Sequence, residues 1–457
     1  MSELHVIILA AGQGTRMRST QPKVLHCIAG EPMLKHVVRA ASELQPQRIH
    51  IVYGHGGSVV REQLADLPVE WVEQAEQLGT GHAVAQAMPF VADDAQVLVL
   101  YGDVPLIKAQ TLSNTVQLAN DCGLSLITVQ LDDATGYGRI VRDSQGRTTG
   151  IVEHKDASLD QLKITEGNTG ILATRADSLR RWLAALDSNN AQGEFYLTDV
   201  IAMAAAENLT IETVQPQCIE EVLGVNDRVQ LASLERVYQL AQAERLMRDG
   251  ASMADPSRVD VRGEVSTGSD VWIDVNVVME GRVHLGDGVS IGPNVTLRDC
   301  KIGTNAQIFA NCVIDDASVG AGAKVGPFAR LRPGARLSRD VHVGNFVEVK
   351  NTTLGEGSKA NHLTYLGDSD IGAGVNVGAG TITCNYDGAN KHRTTIGDGA
   401  FIGSGVELVA PIVVEAGATI GAGSTITKDA PADQLTLTRA KQATIRSWQR
   451  PQKKPSK

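Results

Sequence analysis

From about residue 260 onward, aliphatic side chains recur at every sixth position, and this period constrains the fold more than any other feature. Ile273, Met279, Leu285, Ile291 and Leu297 form one run. Val319, Val325, Leu331, Leu337, Val343 and Val349 form a second, and Ile396, Ile402, Leu408, Val414, Ile420 and Ile426 a third. A repeat of six is out of phase with an α-helix of 3.6 residues per turn. It suits a β-helix, in which one aliphatic per short strand points inward and stacks on its copy in the next coil. Three strands per coil, with coils about 4.8 Å apart, turn about 180 residues into a rod of roughly 50 Å. Glycine often follows the aliphatic: the chain has 46, concentrated in this half, against an average usage of about 7%. A packed β-helix has no internal cavity, so chemistry is expected where the period breaks. The most visible break lies between Val349 and Ile396 and holds His362, Tyr365, Asn376 and the loop Thr383–Lys391.

The first half is built differently. Apolar runs at His5–Leu9, Arg48–Tyr53, Val97–Tyr101 and Ser125–Leu131 alternate with helical patterns such as Met33–Leu44. This predicts an α/β domain with a mostly parallel sheet covered on both faces. Ligands then belong beyond the carboxyl ends of the strands, where Gly12 and Asp103 fall. Leu231, Leu234, Val237, Tyr238, Ala241 and Leu246 recur at helical spacing between Asp227 and Asp249, and Gly250 follows. The expected division is therefore 1–228, a helical linker 229–249, and 250–457.

Charge and cysteine content remove several classes of function. A net charge of −10 argues against bulk nucleic-acid binding and against anionic membranes. The basic end Arg450–Lys457 reads as a frayed, solubilising tail. Six scattered cysteines without a CxxC pair suit neither a disulfide framework nor a zinc site. The N-terminal apolar run has only strand length, and no window reaches the 18 apolar residues of a membrane span, so a soluble cytoplasmic protein is expected.

The first chemical motif is Leu9-Ala10-Ala11-Gly12-Gln13-Gly14-Thr15-Arg16-Met17 with Pro22-Lys23. Glycines directly after a strand let backbone N–H groups approach phosphate oxygens, and Arg16 and Lys23 add positive charge. It is neither a Walker A loop nor a full dinucleotide fingerprint. Read from these residues alone, Asp103 serves equally well as a solvated strand end, and Asn226 as the N-cap of the following helix.

The glycine turn resembles the signature of sugar-nucleotide pyrophosphorylases. With the linking helix and the hexapeptide β-helix, residues 4–440 resemble the bacterial family of bifunctional N-acetylglucosamine-1-phosphate uridyltransferases and glucosamine-1-phosphate N-acetyltransferases. The resemblance implies a Rossmann-like nucleotidyltransferase domain, a long connecting helix and a left-handed parallel β-helix. It places Leu9, Ala10, Ala11 and Gly12 on the nucleotide and Arg16 and Lys23 on its phosphates, with Lys23 catalytic. Gln74, Gly79 and Thr80 would read uracil, and Tyr101, Gly102 and Asp103 would bring a carboxylate to Mg²⁺, with Asn226 as second protein ligand. Gly138, Glu153 and Asn168 would contact the sugar. Gln13 stands where relatives often carry lysine, which implies one phosphate contact made by backbone alone.

For the second half the resemblance implies acetyl transfer from acetyl-CoA to the amine of glucosamine-1-phosphate. A histidine suits the removal of the amine proton; by resemblance it is His362, with Glu348 as its orienting partner. Arg332 and Lys350 would hold the sugar phosphate, and Tyr365 and Asn376 the sugar. Ala379, Asn385, Tyr386, Ser404, Ala422 and Arg439 would contact acetyl-CoA, although Ala440-Lys441 replaces the Val-Pro frequent in relatives. The family also implies a homotrimer with these sites between subunits, and small-molecule partners: UTP, glucosamine-1-phosphate, N-acetylglucosamine-1-phosphate and acetyl-CoA. Two other readings share the architecture. A glucose-1-phosphate nucleotidyltransferase has no use for His362 or the Asn385-Tyr386 loop, and a non-catalytic nucleotide-exchange subunit is expected to lack the set Lys23, Asp103 and Asn226.

Overall fold

The computed structural model describes residues 3–12, 14–54 and 56–453, so Gln13 and the last four residues of the basic tail lie outside the described residues. The chain forms two compact units, Met1–Tyr238 and Gln239–Lys457.

In the first unit seven strands run across one sheet in the order Thr210–Val214, Gly123–Gln130, Glu166–Arg175, Gln96–Tyr101, Leu4–Ala10, Arg48–Tyr53, Glu70–Glu73. The last four are mutually parallel. Their near-continuous apolar runs follow from burial on both faces. Along the strand Leu4–Ala10, Val6 and Ile8 join one core, shared with the helices Met33–Ser42 and Ala109–Cys122. Ile7 and Leu9 join the other, shared with Thr80–Ala87, Ala176–Ala185 and Asp199–Ala206. The sheet is mostly parallel, as expected, with one reversed strand on this path: Glu166–Arg175 is antiparallel to both neighbours. Its long strand also carries the hairpin Gly138–Arg142/Thr148–Val152 through the pair Asn168↔Gly138. Because the parallel strands all end on the same side, Gly12 and Asp103 come together there.

The helix Arg228–Arg248 spans the boundary between the two units. Its apolar stripe changes phase along its length. Leu234 packs in the first unit with Met17, Ile28 and Met33, whereas Leu246 packs in the second. Ala241, expected on the buried face, is exposed, and Ala243 and Gln239 are buried instead. Gln239 is satisfied by Val261, accepting from its N–H at 2.6 Å and donating to its carbonyl at 3.0 Å.

The second unit is a parallel β-helix. Successive coils pair in register 17 or 18 residues apart, as in Val259↔Val277 and Thr296↔Val313. The six-residue columns are its core: Ile273, Met279, Leu285, Ile291, Leu331 and Val349 are fully buried. The column does not stop at Val349. Leu354, Ala360, Leu366, Ile371 and Val377 continue it inward. What disguises the period is a shortening of some steps to five residues, at Leu297–Ile302, Ile314–Val319, Val349–Leu354 and Leu366–Ile371. Each such corner turns through one Asp or Asn in the left-handed region, at Asp299, Asp316, Asn351 and Asp368, residue types that tolerate it. The real insertion is confined to the coil from Asn376 to Phe401, which takes 25 residues because the loop 385–393 projects from it. All six cysteines are unpaired thiols.

Candidate functional site

In the first unit a cleft of about 620 Å³ opens at the strand ends. Its floor is the turn after Leu4–Ala10, where the Leu9 carbonyl accepts from Gly102 N–H at 2.9 Å and ties the two neighbouring strand ends together. Gly14, at φ +61°, turns the chain into the short helix Thr15–Met17. That brings Arg16 toward Asn226, whose side-chain oxygen accepts from Arg16 Nη2 at 2.8 Å and faces Lys23 Nζ at 3.5 Å. Lys23 also forms an ion pair with Asp103. Asp103 carbonyl accepts from Val225 N–H at 2.9 Å, which anchors Asn226 beside it.

The opposite wall is a clamp. Gly81 N–H donates to Phe195 carbonyl and Phe195 N–H to Leu78 carbonyl, both at 2.8 Å. Leu197 N–H donates to Thr80 Oγ1 at 3.1 Å. Buried Gln74 donates to Gly79 carbonyl at 3.1 Å. Of the residues expected at this site, Leu9–Gly12, Arg16, Lys23, Gln74, Gly79, Thr80, Tyr101, Asp103 and Asn226 line the cleft.

Gly138, Glu153 and Asn168 do not line it but cluster behind Tyr101. Gly138 has both Glu153 carboxylate oxygens 3.5 Å from the position of a Cβ. Asn168 lines a small void with Tyr101 and Thr198, and Thr198 Oγ1 donates to Glu153 at 3.1 Å. Burial holds the Glu153 carboxyl above its usual range, with Asp199 and Asp156 adding to it against the Thr198 hydrogen bond. Burial likewise raises the Tyr101 phenol, helped by Glu153 and Asp103.

Two oxygens, from Asp103 and Asn226, already gather around the Lys23 ammonium. An all-oxygen pair open to a cleft suits Mg²⁺, which keeps waters and phosphate oxygens in its remaining positions. Among the described residues no group of three His, Cys, Asp or Glu side chains forms a metal cage.

In the second unit the expected residues follow two edges of the coil. On one edge Asn345 pairs in register with His362. Gly380 N–H donates to His362 carbonyl, Gly405 N–H to Ala379 carbonyl at 2.7 Å, and Gly423 N–H to Ser404 carbonyl at 2.8 Å. Ala422 stacks on Gly403, and Arg439 reaches 4.0 Å from a Cβ position on Gly423. His362, Ala379, Ser404, Ala422 and Arg439 therefore form one column, a coil apart.

The other edge holds a charged cluster. Arg332 pairs with Glu348 at 2.7 Å, and Lys350 with Asp368 at 3.3 Å. Asn385 and Asn351 both donate to Asp368. Burial pushes the Asp368 carboxyl up, but these amides and the Lys350 ammonium outweigh it and hold it below its usual range. Tyr365 pairs in register with Glu348 and joins this cluster, its hydroxyl 2.4 Å and the Asn385 amide nitrogen 2.8 Å from a Cβ position on Gly367. Asn376 stands apart from Arg332 and Lys350, on the sheet of Lys359–His362. Tyr386 is exposed, its hydroxyl donating to Gly388 carbonyl at 2.6 Å.

Within this chain the Glu348 carboxylate is engaged by Arg332 rather than by His362. His362 Nδ1 instead meets Asn345 Oδ1 at 2.9 Å, because the coil register stacks those two residues.

Residues 6–194 match the MobA-like NTP transferase domain, residues 261–354 the GMPPB C-terminal domain, and residues 393–428 six repeats of the bacterial transferase hexapeptide. The bifunctional protein GlmU of Marinobacter nauticus is 58% identical over 453 residues, covering 99% of this chain and 100% of its own. GlmU of Methylococcus capsulatus is 57% identical, covering 99% of this chain and 98% of its own. GlmU of Pseudomonas putida is 58% identical, covering 98% and 99%. The chain belongs to the GlmU family.

The hexapeptide match makes the second unit of this GlmU-family chain a left-handed parallel β-helix. Sequence reasoning missed four residues that the structure sets beside the expected ones. Gln77 donates to Ala11 carbonyl at 3.0 Å, and the repeated Gln of Glu73–Leu78 was its signal. Glu194 lines the cleft without any local signature. Asn345 and Asp368 were legible only from the coil steps of 17 and 18 residues that place them beside His362 and Lys350.

Proposed function

We propose that the two units catalyse consecutive steps of UDP-N-acetylglucosamine synthesis. The C-terminal unit moves acetyl from acetyl-CoA to the amine of glucosamine-1-phosphate. The N-terminal unit then transfers UMP from UTP to N-acetylglucosamine-1-phosphate and releases pyrophosphate. The product supplies peptidoglycan and lipid A synthesis in the cytoplasm. The observation that carries this reading is the convergence of Lys23, Arg16, Asp103 and Asn226 at the glycine turn, in a chain that matches bifunctional relatives end to end.

In the N-terminal step a sugar-phosphate oxygen attacks the α-phosphorus of UTP in line with the departing pyrophosphate. Both reactants are anions, so Lys23 and Arg16 neutralise charge as it moves to the leaving group. Mg²⁺ held by Asp103 and Asn226 supplies further positive charge to the phosphates when bound. Gln74, Gly79 and Thr80 present fixed polar groups to uracil, and Gly138, Glu153 and Asn168 take the sugar. In the C-terminal step His362 accepts the amine proton, while Arg332 and Lys350 hold the sugar phosphate with Tyr365 and Asn376 around the ring. Ala379, Ser404, Ala422 and Arg439 lie along one edge, a run of backbone and side-chain groups suited to an extended coenzyme, and Asn385 and Tyr386, set on the loop of the other edge, reach that coenzyme from a neighbouring copy. The separation of Asn376 from Arg332 and Lys350 supports a homotrimer whose acetyltransferase sites draw on neighbouring copies. The functional domains run 1–228 and 250–457, with 229–249 between them.

The test measures both products on each variant. Asp103→Ala is expected to lose pyrophosphate release and keep CoA release; His362→Ala does the reverse. Loss of both activities together in either well-folded variant overturns the two-site assignment.

A further inference from the structure

We infer that Asn345 is the positioning residue of acetyl transfer, fixing the tautomer of His362 through a neutral amide; this rests on the reading of His362 as the base. Asn345 Oδ1 lies 2.9 Å from His362 Nδ1. An amide oxygen is only an acceptor, so it selects the imidazole with its proton on Nδ1 and leaves the Nε2 lone pair free. The backbone beneath the ring is also held. His362 carbonyl accepts from Thr364 Oγ1 at 2.7 Å and from Gly380 N–H at 3.3 Å. Leu363 N–H donates to Asn345 carbonyl at 3.1 Å. Gly344 lets the two coils approach: a Cβ there would stand 2.1 Å from Asn361 carbonyl oxygen.

No carboxylate bonds the His362 ring among the described residues. Glu348 is engaged by Arg332. The titratable neighbour is His342 on the strand of Asn345, disfavoured from charging by burial and by Lys324 and Lys359 as well as by His362 itself. Among the described residues of this chain, the group that orients His362 is thus a neutral amide and not a carboxylate.

That choice fits the reaction. The free amine of glucosamine-1-phosphate forms the C–N bond at the thioester carbonyl while Nε2 takes its proton. The C–S bond breaks, and the proton on Nε2 passes to the departing thiolate to give CoA-SH. A base that must accept and then return one proton is best left without a strong anionic partner.

The experiment compares Asn345→Ala, Asn345→Asp and His362→Ala in the full-length chain, reading CoA release against pH, pyrophosphate release and the thermal midpoint. Asn345→Ala is expected to lower kcat for CoA release about 10- to 100-fold, with KM for both substrates and pyrophosphate release within about twofold of the parent. Asn345→Asp is expected to recover most of that kcat and to move the acid limb of its pH profile upward by about one unit, because a carboxylate favours the imidazolium. If Asn345→Ala keeps kcat within twofold, or Asn345→Asp leaves the acid limb in place, the positioning role is refuted while an inactive His362→Ala leaves the base assignment standing. An active His362→Ala refutes the base assignment itself, and this inference with it.

Discussion

Adding one methyl group at Gly79 tests whether the clamp around the first cleft places the nucleotide. Gly79 sits at φ +112°, ψ 176°, a region essentially closed to side-chain-bearing residues and worth about 1–3 kcal/mol of strain. A Cβ there would also lie 2.6 Å from Phe195 carbonyl oxygen, 2.8 Å from its nitrogen and 2.9 Å from Glu194 Cβ. Two of those atoms are backbone, held by the paired bonds of Leu78 and Gly81 to Phe195, so relief requires the turn itself to move. Overpacking of this kind adds about 1–3 kcal/mol. The turn carries the Gly79 carbonyl that fixes Gln74, and a displacement near 1 Å at a binding group lowers rate about 100-fold. Gly79→Ala is therefore expected to reduce kcat/KM for UTP about 100-fold, equivalent to about 2.7 kcal/mol of transition-state stabilisation. CoA release from the same sample should stay within twofold and reports the amount of chain recovered, while a circular-dichroism spectrum matching the parent reports that the first unit is folded. Unchanged kcat/KM for UTP in a sample with normal CoA release would refute the clamp argument.

Two further outcomes follow from the geometry. Chelation of divalent cations with EDTA should abolish pyrophosphate release and leave CoA release intact, since the oxygen pair Asp103 and Asn226 has no counterpart in the acetyl-transfer step; equal loss of both activities would contradict it. Buried His50 stacks on His5, with Nδ1 of His5 3.1 Å from Nε2 of His50. Burial above all, then His5, lowers the His50 pKa to about 4, with Arg48 adding to and Glu70 opposing the shift. A base whose folded pKa is depressed contributes its full stability above the unfolded value of about 6.5, and loses it as pH falls toward the folded value, here up to about 3 kcal/mol. The thermal midpoint for loss of pyrophosphate-releasing activity should fall between pH 7 and pH 5, and His50→Asn should flatten that slope; an equal slope in both proteins would remove His50 as its cause.

The columns of the β-helix were legible because an inward position repeats along the chain whatever its neighbours do. Ile273 and Leu331 are core positions on the six-residue period alone, and both are fully buried. The five-residue steps were hidden for a local reason: Asp299 or Asp368 in a left-handed corner looks like any polar surface residue. The reversed strand Glu166–Arg175 was invisible because strand direction is not encoded in its own hydrophobic pattern. The first cleft was readable where glycine, arginine and lysine follow one another closely in sequence. Glu194 was not, because its place depends on a clamp formed with residues more than a hundred positions earlier. Glu348 and Asn345 show the same limit: both precede His362 by about one coil, and only the register decides which meets it.

Stacking His362, Ala379, Ser404, Ala422 and Arg439 one coil apart turns that edge into a ruler graduated in strand spacings of about 4.8 Å. Whole rungs can be inserted or removed by duplication without disturbing the rungs on either side. A change in the length of the groove is then quantised, and between two rungs only the outward loops, such as 385–393, remain for fine adjustment.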